Sequence, residues 1–571
     1  MDPLSAIGRR KVSAMTRHFI ARVAAGAAAC LVATLLAACG SGGTNSHNAS
    51  SAGPTGMITA DYTSSPFTAN FNPFNPGAQF TPLQMVYEPL WFFDTAQAGV
   101  SQQWLATSYS WGPGGKSITF QLRHGVKWND GKPFTAADVA YTFNLLKSNP
   151  SLNSYGLPLA GATPSGDYSV TVTFTEPVYT DLYFIAGRTN ILPEHIWSKI
   201  SNKTAWTDPD PVGTGAFEVS KVNSQVLIMT ANPYYYMPGL PKVKTIEFLT
   251  YSNNNTQDAA TVNGTIDWVG GFIPNIDKAY LGKDSNFHVV DIPLAVDFLI
   301  PNMQNAVAGS LPVREAISDA IDRNYISQTV YNGYAPPTDP EGLLVPNFDS
   351  VASGTAKADG FSGASPAQAK QVLESAGYKL GSNGYFTKDG HTLTIDVKVV
   401  AGWTDYLSIL QILGPELKAA GIDMSVTQEA YSVWLSDQDT GNFQFLLDNA
   451  GYTPLPYSYY YNLLDSAVTK PIGTSETVGN YGRYHNSQLD ALLTTIAGTT
   501  STAIQNQAFA QIESIFKQQL PDIPLMEAQD EIEFNGNAVT GFPTKDNPYA
   551  APATWLQPDD AWVAARLAPA K

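Results

Sequence analysis

The chain has 571 residues, of which 44% are hydrophobic and 14% are charged, and its formal net charge is −17. This length is too great for one hydrophobic core and predicts several lobes, and the apolar content excludes disorder for most of the chain. The acidic balance argues against nucleic acid or an anionic lipid surface as the ligand.

The first 38 residues are typical of an export signal. Five basic residues come before or at the start of an apolar run, residues 23–36, that is too short and too Ala-rich for a membrane span. The sequence Leu-Ala-Ala-Cys-Gly at 36–40 matches the bacterial lipobox, so we expect Cys39 to be lipidated and to become the N-terminus of the mature chain. A plain signal peptide with an incidental cysteine is the alternative, and Arg9-Arg10 leaves the export route, Sec or Tat, open.

Removal of this signal changes both the charge and the thiol content of the chain. Five basic residues and one acidic residue leave with residues 1–38, so the net charge becomes −17 − 4 = −21. Cys30 also leaves, and a lipidated Cys39 has no free thiol, so disulfides, cysteine catalysis and thiolate metal sites are excluded. Residues 39–56 are rich in Gly, Ser and Asn and predict a flexible tether.

The folded body is predicted to begin near Met57. Two Asn-Pro units at residues 70–76 exclude regular structure there, because proline restricts its predecessor and lacks a backbone donor. Asn72, Phe74 and Trp91 are candidate ligand-binding residues; the alternative is that they pack the first lobe.

Residues 116–147, KSITFQLRHGVKWNDGKPFTAADVAYTFNLLK, predict a strand, a turn and a helix. Apolar and polar residues alternate from Ile118 to Arg123, which is the period of a half-buried strand. Asn-Asp-Gly at 129–131 predicts a tight turn, and Thr135 with Asp138 three residues later predicts a capping box at the start of a helix.

This stretch resembles the signature of the family 5 extracytoplasmic solute-binding proteins, in which about twenty positions match without a gap. The resemblance implies a receptor of an ABC importer for oligopeptides, some oligosaccharides or, in one branch, nickel. It also implies an α/β fold with two lobes, of the type II periplasmic-binding-protein class with an extra subdomain, joined by a hinge.

Further segments resemble the same family along most of the chain. They are Ile-Leu-Pro-Glu-His at 191–195, Pro-Val-Gly-Thr-Gly at 211–215, Asn-Pro-Tyr-Tyr at 232–235, Asn-Gly-Thr-Ile-Asp-Trp at 263–268 and Val-Arg-Glu-Ala-Ile at 313–317. The glycines at 213 and 215 lack the Gly-Lys-Ser/Thr of a phosphate loop and predict a tight turn into a strand. Trp268 is a further candidate ligand-binding residue, and Arg314, Asp322 and Arg323 are expected to form structural ion pairs.

The resemblance implies an order of lobes along the chain. Lobe I comprises residues 57–93, an inserted subdomain at 94–205, residues 206–298 and a C-terminal return at 525–571. Lobe II comprises residues 299–524. Within lobe II, strands at 393–400 and 422–427 flank a helix at 406–420, which suggests a parallel α/β sheet.

The ligand class depends mainly on residues 445–463, FLLDNAGYTPLPYSYYYNL. Peptide receptors of the family typically have Gly-Trp-x-x-Asp here, whose Asp pairs with the peptide ammonium, but this chain has no acidic residue from 449 to 462. Tyr452, Tyr457 and the nearby Trp403 are therefore predicted to bind a neutral oligosaccharide, as in the cello- and xylo-oligosaccharide receptors that the segment resembles. An oligopeptide remains the alternative, and packing within or between lobes is the structural alternative for most of the tyrosines.

We expect no enzyme activity, cofactor or metal. The sequence has no Gly-x-Ser-x-Gly and no His-Glu-x-x-His, while a secreted glycosidase stays a remote alternative, since it needs only two carboxylates. The expected partners are the ligand, the permease subunits of an ABC importer with their ATPase, and the membrane through the lipid anchor. The protein is expected to act as a monomer outside the cell membrane or in the periplasm.

Overall fold

The computed structural model describes residues 56–61, 66–75, 77–79, 81–349, 351–352, 361, 363–474 and 479–571. The predicted signal peptide, Cys39 and all of the predicted tether except Gly56 lie outside the described residues. Gly56 is the first residue of a strand that ends at Asp61, and this strand contains Met57, near which the folded body is predicted to begin.

The strands of the described residues are β1 (Gly56–Asp61), β2 (Trp91–Phe93), β3 (Ser101–Gln103), β4 (Ala106–Trp111), β5 (Ser117–Leu122), β6 (Leu159–Pro164), β7 (Ser169–Phe174), β8 (Phe217–Val222), β9 (Val226–Ala231), β10 (Thr245–Thr250), β11 (Trp268–Gly271), β12 (Phe287–Pro301), β13 (Lys379–Leu380), β14 (Phe386–Lys388), β15 (His391–Thr392), β16 (Thr394–Val400), β17 (Asp423–Glu429), β18 (Phe445–Gly451), β19 (Ile523–Asn535), β20 (Val539–Thr540) and β21 (Ala568–Pro569). The α-helices are α1 (Leu83–Val86), α2 (Ala136–Ser148), α3 (Glu194–Trp197), α4 (Asn254–Val262), α5 (Leu311–Ala320), α6 (Arg323–Val330), α7 (Val345–Phe348), α8 (Pro366–Ser375), α9 (Thr404–Ala419), α10 (Tyr431–Thr440), α11 (Pro456–Leu464), α12 (Ser487–Ala497), α13 (Thr502–Gln519) and α14 (Asp559–Arg566).

One ten-stranded sheet runs through the described chain in the order β17-β16-β18-β12-β19-β11-β1-β10-β9-β8. Its two longest strands, β12 and β19, pair antiparallel in the middle and cross from one half of the sheet to the other. We call them the crossover strands. The pairing has register irregularities between Pro293 and Ala295 and between Val296 and Phe298.

The two halves of this sheet are covered by different hydrophobic cores. One large core takes its residues from 57–294 and 532–567, and two further cores take theirs from 296–526. In β18, Phe445 and Leu447 belong to one of these two cores and Leu446 to the other, because successive strand side chains point to opposite faces. The sheet is therefore buried on both faces at β18. The lobe boundaries at 299 and 525 remain a prediction.

The region around the signature stretch forms a separate four-stranded sheet in the order β4-β5-β7-β6, with α2 packed against β6 and β7. The predicted strand, turn and capped helix are confirmed. Ile118, Phe120 and Leu122 are buried, and Thr135 and Asp138 form the predicted capping box, in which the backbone N–H of Thr135 donates to the Asp138 carboxylate at 2.9 Å.

The segment that contains the Val-Arg-Glu-Ala-Ile motif forms α5 and α6, and the ion pairs expected of Arg314, Asp322 and Arg323 are wrong. Arg314 donates to the backbone carbonyls of Ala308, Gln519 and Leu520, and Arg323 donates to the carbonyls of Ser318 and Pro524. Asp322 caps α6 by accepting from the Tyr325 N–H at 2.9 Å. Both arginines therefore fix nearby turns and helix ends, because they donate to backbone carbonyls that have no partner within their own element.

Candidate ligand-binding site

A cavity of about 450 Å³ opens beside the crossover strands. Several of its residues follow the carboxyl ends of parallel strands, since Trp403 comes after β16 and α10 comes after β17. Ligands of open α/β sheets commonly bind at such ends. The lining residues are Arg188, Asn254, Gln257, Gly270, Gly271, Phe272, Asp297, Tyr331, Trp403, Asp405, Tyr406, Tyr431, Trp434, Leu435, Gln438, Asp448, Asn449, Tyr452, Tyr481, Ala528, Gln529, Asp530, Trp555, Leu556 and Gln557.

Four aromatic side chains from α9, α10 and the turn before α9 form one wall, which we call the aromatic wall. The ring of Trp403 lies 5.7 Å from both Tyr406 and Trp434 and 6.1 Å from Tyr431, measured between ring centroids. Gly402 has a φ of 93°, and this left-handed turn places Trp403 directly before α9. The wall presents ring faces and edges that are already packed together, so little side-chain entropy is lost when a ligand contacts them.

Residues of the other half of the sheet face the cavity from β11 and from the segment that precedes α14. An added Cβ on Gly270 would lie 2.0 Å from the ring of Trp555, so the indole packs directly on the backbone of β11. Gln257 of α4 donates to the Gly270 carbonyl at 3.1 Å. Arg188 donates to the Gln557 carbonyl, which holds the guanidinium beside this segment.

Four aspartates line the cavity, and we call them the cavity carboxylates: Asp297, Asp405, Asp448 and Asp530. The hydroxyl of Tyr406 donates to Asp297 at 2.8 Å, and that of Tyr331 donates to it at 3.5 Å. Gln438 donates to Asp448, and the Tyr452 hydroxyl donates to Asp530 at 3.2 Å. Residues on other elements therefore orient three of these four groups.

Burial raises the pKa of the cavity carboxylates, because desolvation disfavours the charged form. It raises the pKa of Asp405 to about 6, of Asp448 to about 7 and of Asp297 to about 8, and it raises the pKa of Asp530 well above its ordinary value. Hydrogen bonds from tyrosine and glutamine oppose this effect only in part. The ligand-free cavity therefore holds protons near neutral pH.

The fold and its cavity have counterparts in known proteins. Residues 101–471, more than half of the chain, match the protein family described as "Bacterial extracellular solute-binding proteins, family 5 Middle". The chain belongs to family 5 of the bacterial extracellular solute-binding proteins.

Individual relatives and solved structures agree with this family assignment. A Brucella ovis protein named as an ABC transporter peptide-binding protein is 30% identical over 326 residues, and the match covers 55% of this chain and 58% of the Brucella protein. The Thermotoga maritima oligopeptide ABC transporter binding protein, solved with mannohexaose, has a TM-score of 0.82 at 24% identity and covers 90% of this chain and 99% of its own. AppA of Bacillus subtilis, solved with a nonapeptide, has a TM-score of 0.75 at 21% identity and covers 90% of this chain and 99% of its own.

These matches confirm the predicted fold class of the family 5 protein, the α/β fold of the periplasmic oligopeptide-binding proteins. Among the residues that the structure describes, no helix combines the length and apolar character needed to cross a membrane. In the same residues, no group of three or more His, Cys, Asp or Glu side chains is placed to hold a metal ion.

Two of the seven predicted ligand-binding residues of the family 5 protein, Trp403 and Tyr452, line the cavity. Tyr457 does not. It lies in the first turn of α11, where its ring stacks on Tyr461 one helical turn later, at 5.7 Å between centroids. The helix thus turns Tyr457 away from the cavity that Tyr452 contacts.

The other four predicted residues lie away from the cavity and pack or bond elsewhere. Asn72 is fully buried and its amide donates to the Lys203 carbonyl at 2.6 Å, while Phe74 packs edge-on against Trp197. Phe74 does line a second, much smaller pocket of about 80 Å³.

Trp268 belongs to the large core, and the half-buried Trp91 packs against it. Trp91 packs edge-on against Tyr109 at 5.2 Å between centroids. Trp268 is 1% exposed, and its indole N–H donates to the Pro552 carbonyl at 2.6 Å. The placement of Trp91 therefore agrees with the structural alternative that was considered for it, packing of the first lobe.

Sequence reasoning missed the cavity carboxylates. Asp297 sits in β12 between Val296 and Phe298, and an acidic residue inside the apolar run at 294–300 is a signal that could have found it. Asp448 immediately precedes the acid-free segment at 449–462. Asp530 offers no such signal, because β19 carries Glu527, Glu531 and Glu533 as well.

The pKa values predict how the stability of the ligand-free protein depends on pH. Each cavity carboxylate has a folded-state pKa above its unfolded value near 4, so the folded state binds more protons than the unfolded state. The stabilisation that protonation of these carboxyl groups provides is complete when the pH is below their unfolded-state pKa. It is lost as the pH rises through their folded-state pKa values, from about 6 to about 8. Thermal or urea unfolding should show a free energy of unfolding lower by about 2 kcal/mol or more at pH 8 than at pH 5.

The matched control for this prediction is Asp297→Asn, which keeps an acceptor for Tyr406 and Tyr331 but cannot titrate. Its stability profile between the two pH values should be flatter than that of the wild type. A wild-type profile that is level or rises with pH would contradict the assignment of protonated carboxyls.

Gly270→Ala should weaken ligand binding by about tenfold. The new Cβ would overlap the Trp555 ring, and because the neighbouring atom is part of a rigid indole, the ring must shift towards the cavity. Calorimetric titration measures the change, and Gly414→Ala in α9, outside the cavity, is the control, since the atom nearest to a Cβ there lies at 3.7 Å, an ordinary contact. Unchanged affinity in Gly270→Ala would show that Trp555 takes no part in binding.

Proposed function

We propose that this family 5 protein is the extracytoplasmic receptor of an ABC importer and that it captures an oligosaccharide in the cavity. One observation carries the proposal: nine aromatic and six amide side chains line the cavity, against three aliphatic ones. Aromatic faces pack on the apolar C–H faces of sugar rings, and amide groups bond their hydroxyls. The mannohexaose bound by the Thermotoga maritima protein supports the same ligand class.

The expectation that this oligosaccharide is neutral needs revision. It rests on the absence of acidic residues from 449 to 462. The cavity nevertheless carries Asp448, directly before that segment, and three aspartates from other elements. The composition of this one segment therefore says little about the charge of the ligand, and the proposal covers oligosaccharides as a class.

Capture works by closure of two lobes, residues 57–298 with 525–571 and residues 299–524, around the crossover strands. The ligand contacts the aromatic wall on one side and Trp555 with its neighbours on the other, and it makes both sets of contacts only in the closed form. This difference in contacts shifts the equilibrium towards closure. The closed monomer then docks on the permease subunits, and their ATPase drives import.

A lipid on Cys39 would keep the receptor at the outer face of the membrane. Metabolic labelling with a fatty acid should tag the wild type and leave Cys39→Ser unlabelled. Equal labelling of the two proteins would refute the anchor and leave the proposed ligand class untouched.

An oligopeptide is the second candidate ligand. The Brucella relative is named as a peptide-binding protein, and AppA was solved with a nonapeptide. The cavity carboxylates favour this candidate too, because the amino terminus of a peptide is positively charged.

Calorimetry separates the two ligand classes. Cello-, xylo- and manno-oligosaccharides and a mixture of tripeptides are titrated into the purified protein, and we expect saturable binding of at least one sugar series. Tight peptide binding with no response to any sugar would refute the oligosaccharide proposal. Release of reducing sugar during incubation would refute a receptor and favour the glycosidase alternative.

A further inference from the structure

The charges on the cavity wall are unbalanced. Among the described residues that line it are four carboxyl groups and one basic side chain, Arg188. The guanidinium of Arg188 donates to the Gln557 carbonyl and, at 3.4 Å, to the Tyr155 hydroxyl. In the part of the chain that the structure describes, no ion pair joins a cavity carboxylate to a basic side chain. No cation of the protein therefore favours ionisation of these acids, and a positively charged group on a ligand would do so.

Three of these carboxylates come together at the crossover strands. Asp448 pairs in register with Phe298, the residue after Asp297, across the antiparallel β18 and β12. Asp530 follows on β19, the other neighbour of β12, opposite Ile292. Alternation along the strands sends Asp297 and Asp448 to opposite faces of the sheet, but both line the cavity, and the nearby charges of Asp405 and Asp448 add to burial in raising the pKa of Asp297.

Asp530 has one carboxyl oxygen that the described residues leave without a hydrogen-bond partner. Its Oδ1 accepts from the Tyr452 hydroxyl, while Oδ2 is buried and has no hydrogen-bond partner among the described residues. An unsatisfied buried carboxylate oxygen is costly, and the cost falls when a donor enters the site. A positively charged donor supplies the missing hydrogen bond, and it favours the ionised carboxylate over the protonated form that burial favours in the empty cavity.

From this geometry we propose that the site takes an oligosaccharide that carries a primary amine, an amino sugar, with its ammonium group on Asp530 Oδ2 and its ring on the aromatic wall. The inference rests on the proposed function, because the aromatic and amide lining selects a sugar. The cavity carboxylates add the requirement that this sugar carry a positive charge. The faces of Tyr331 and Tyr452, whose hydroxyls bond Asp297 and Asp530, also favour a cation nearby.

Binding of such a ligand should release protons. An ammonium group beside the cavity carboxylates favours their charged forms, so their pKa values fall and bound protons leave. A neutral sugar brings no charge and should release few or none. The number of protons released is obtained by repeating the calorimetry in two buffers that differ in ionisation enthalpy.

The test uses the full-length mature protein and four probes: the β-1,4-linked tetramer of glucosamine, its fully N-acetylated form, cellotetraose and trialanine. We expect the glucosamine tetramer to bind about 10- to 100-fold more tightly than either uncharged tetramer, the size of one charged hydrogen bond. It alone among the sugars should release protons. These measurements on the wild type need no variant.

Asp530→Asn should then remove most of the preference for the glucosamine tetramer over its N-acetylated form. The matched control is Asp546→Asn, which changes an exposed carboxylate outside the cavity and should keep the wild-type preference. Circular dichroism checks that both variants are folded.

The outcomes separate the inference from the proposed function. Equal affinity for the charged and uncharged tetramers, or tighter binding of cellotetraose, overturns the amino-sugar inference and leaves an oligosaccharide receptor. Binding of trialanine with no response to any tetramer overturns the oligosaccharide function itself.

Discussion

Replacing Trp403 with alanine should weaken oligosaccharide binding by about 30-fold or more, the effect of removing a central aromatic anchor. The indole lies at the centre of the aromatic wall, in contact range of Tyr406, Tyr431 and Trp434, and a sugar ring would stack on this group. Its loss removes a stacking surface and leaves a gap that water fills. The measurement is calorimetric titration with whichever of cellotetraose, xylotetraose, mannotetraose and the glucosamine tetramer binds the wild type best.

Two further variants test whether the loss of affinity is specific to removal of the ring at position 403. Trp403→Phe keeps a ring and should lose far less affinity than the alanine variant. Tyr325→Ala removes an aromatic ring that is 54% exposed on α6, outside the cavity, and should bind as the wild type does. Equal affinity of Trp403→Ala and the wild type would remove the aromatic wall from the binding site.

Replacing Asp559 with alanine should lower the free energy of unfolding by about 3 to 5 kcal/mol. The carboxyl group is fully buried and accepts from the Thr95 N–H at 3.1 Å, the Thr95 hydroxyl at 2.9 Å and the Ala551 N–H at 2.9 Å. These hydrogen bonds link the start of α14 to the segment that follows β2, which lies more than 450 residues earlier in the chain. Alanine leaves three buried donors without an acceptor.

Urea denaturation followed by circular dichroism measures this effect. Asp559→Asn keeps an acceptor oxygen and should be destabilised less than the alanine variant, and Asp546→Ala serves as the exposed control. A loss of under about 1 kcal/mol in Asp559→Ala would mean that water replaces the missing acceptor.

Local structure could be predicted from the sequence wherever a short pattern decides it. The alternation around Phe120 and the Thr135–Asp138 capping box predict their elements because the interactions lie within a few residues. The apolar face of α5, with Val313 and Ile317, follows from helical spacing in the same way. The parallel pairing of β16 and β17 was also predictable, since a helix joins the two strands.

The site could be predicted only in part, because its residues come from segments far apart in the chain. Trp403 and Tyr452 follow strands of a recognisable α/β unit, and their segments could be compared with the family. Asp530 becomes relevant only because β19 pairs with β12, more than 200 residues earlier, and no local pattern encodes that pairing. Tyr457 lies outside the lining of the cavity because Pro456 begins a helix in which the ring stacks on Tyr461, and its part in binding stays a prediction.

The paired crossover strands also limit the ways in which the receptor can open. A continuous ladder of backbone hydrogen bonds resists sliding, so the motion should be a rotation that flexes β12 and β19 near their register irregularities at Pro293 and Val296. Asp530, next to this axis, would travel little, whereas Trp403 and Trp555 would swing through larger arcs. Such a motion would make the closed arrangement depend on the thickness of the ligand. A linear chain thinner or thicker than one sugar strand would leave the two halves of the protein in a relative position that the transporter does not recognise.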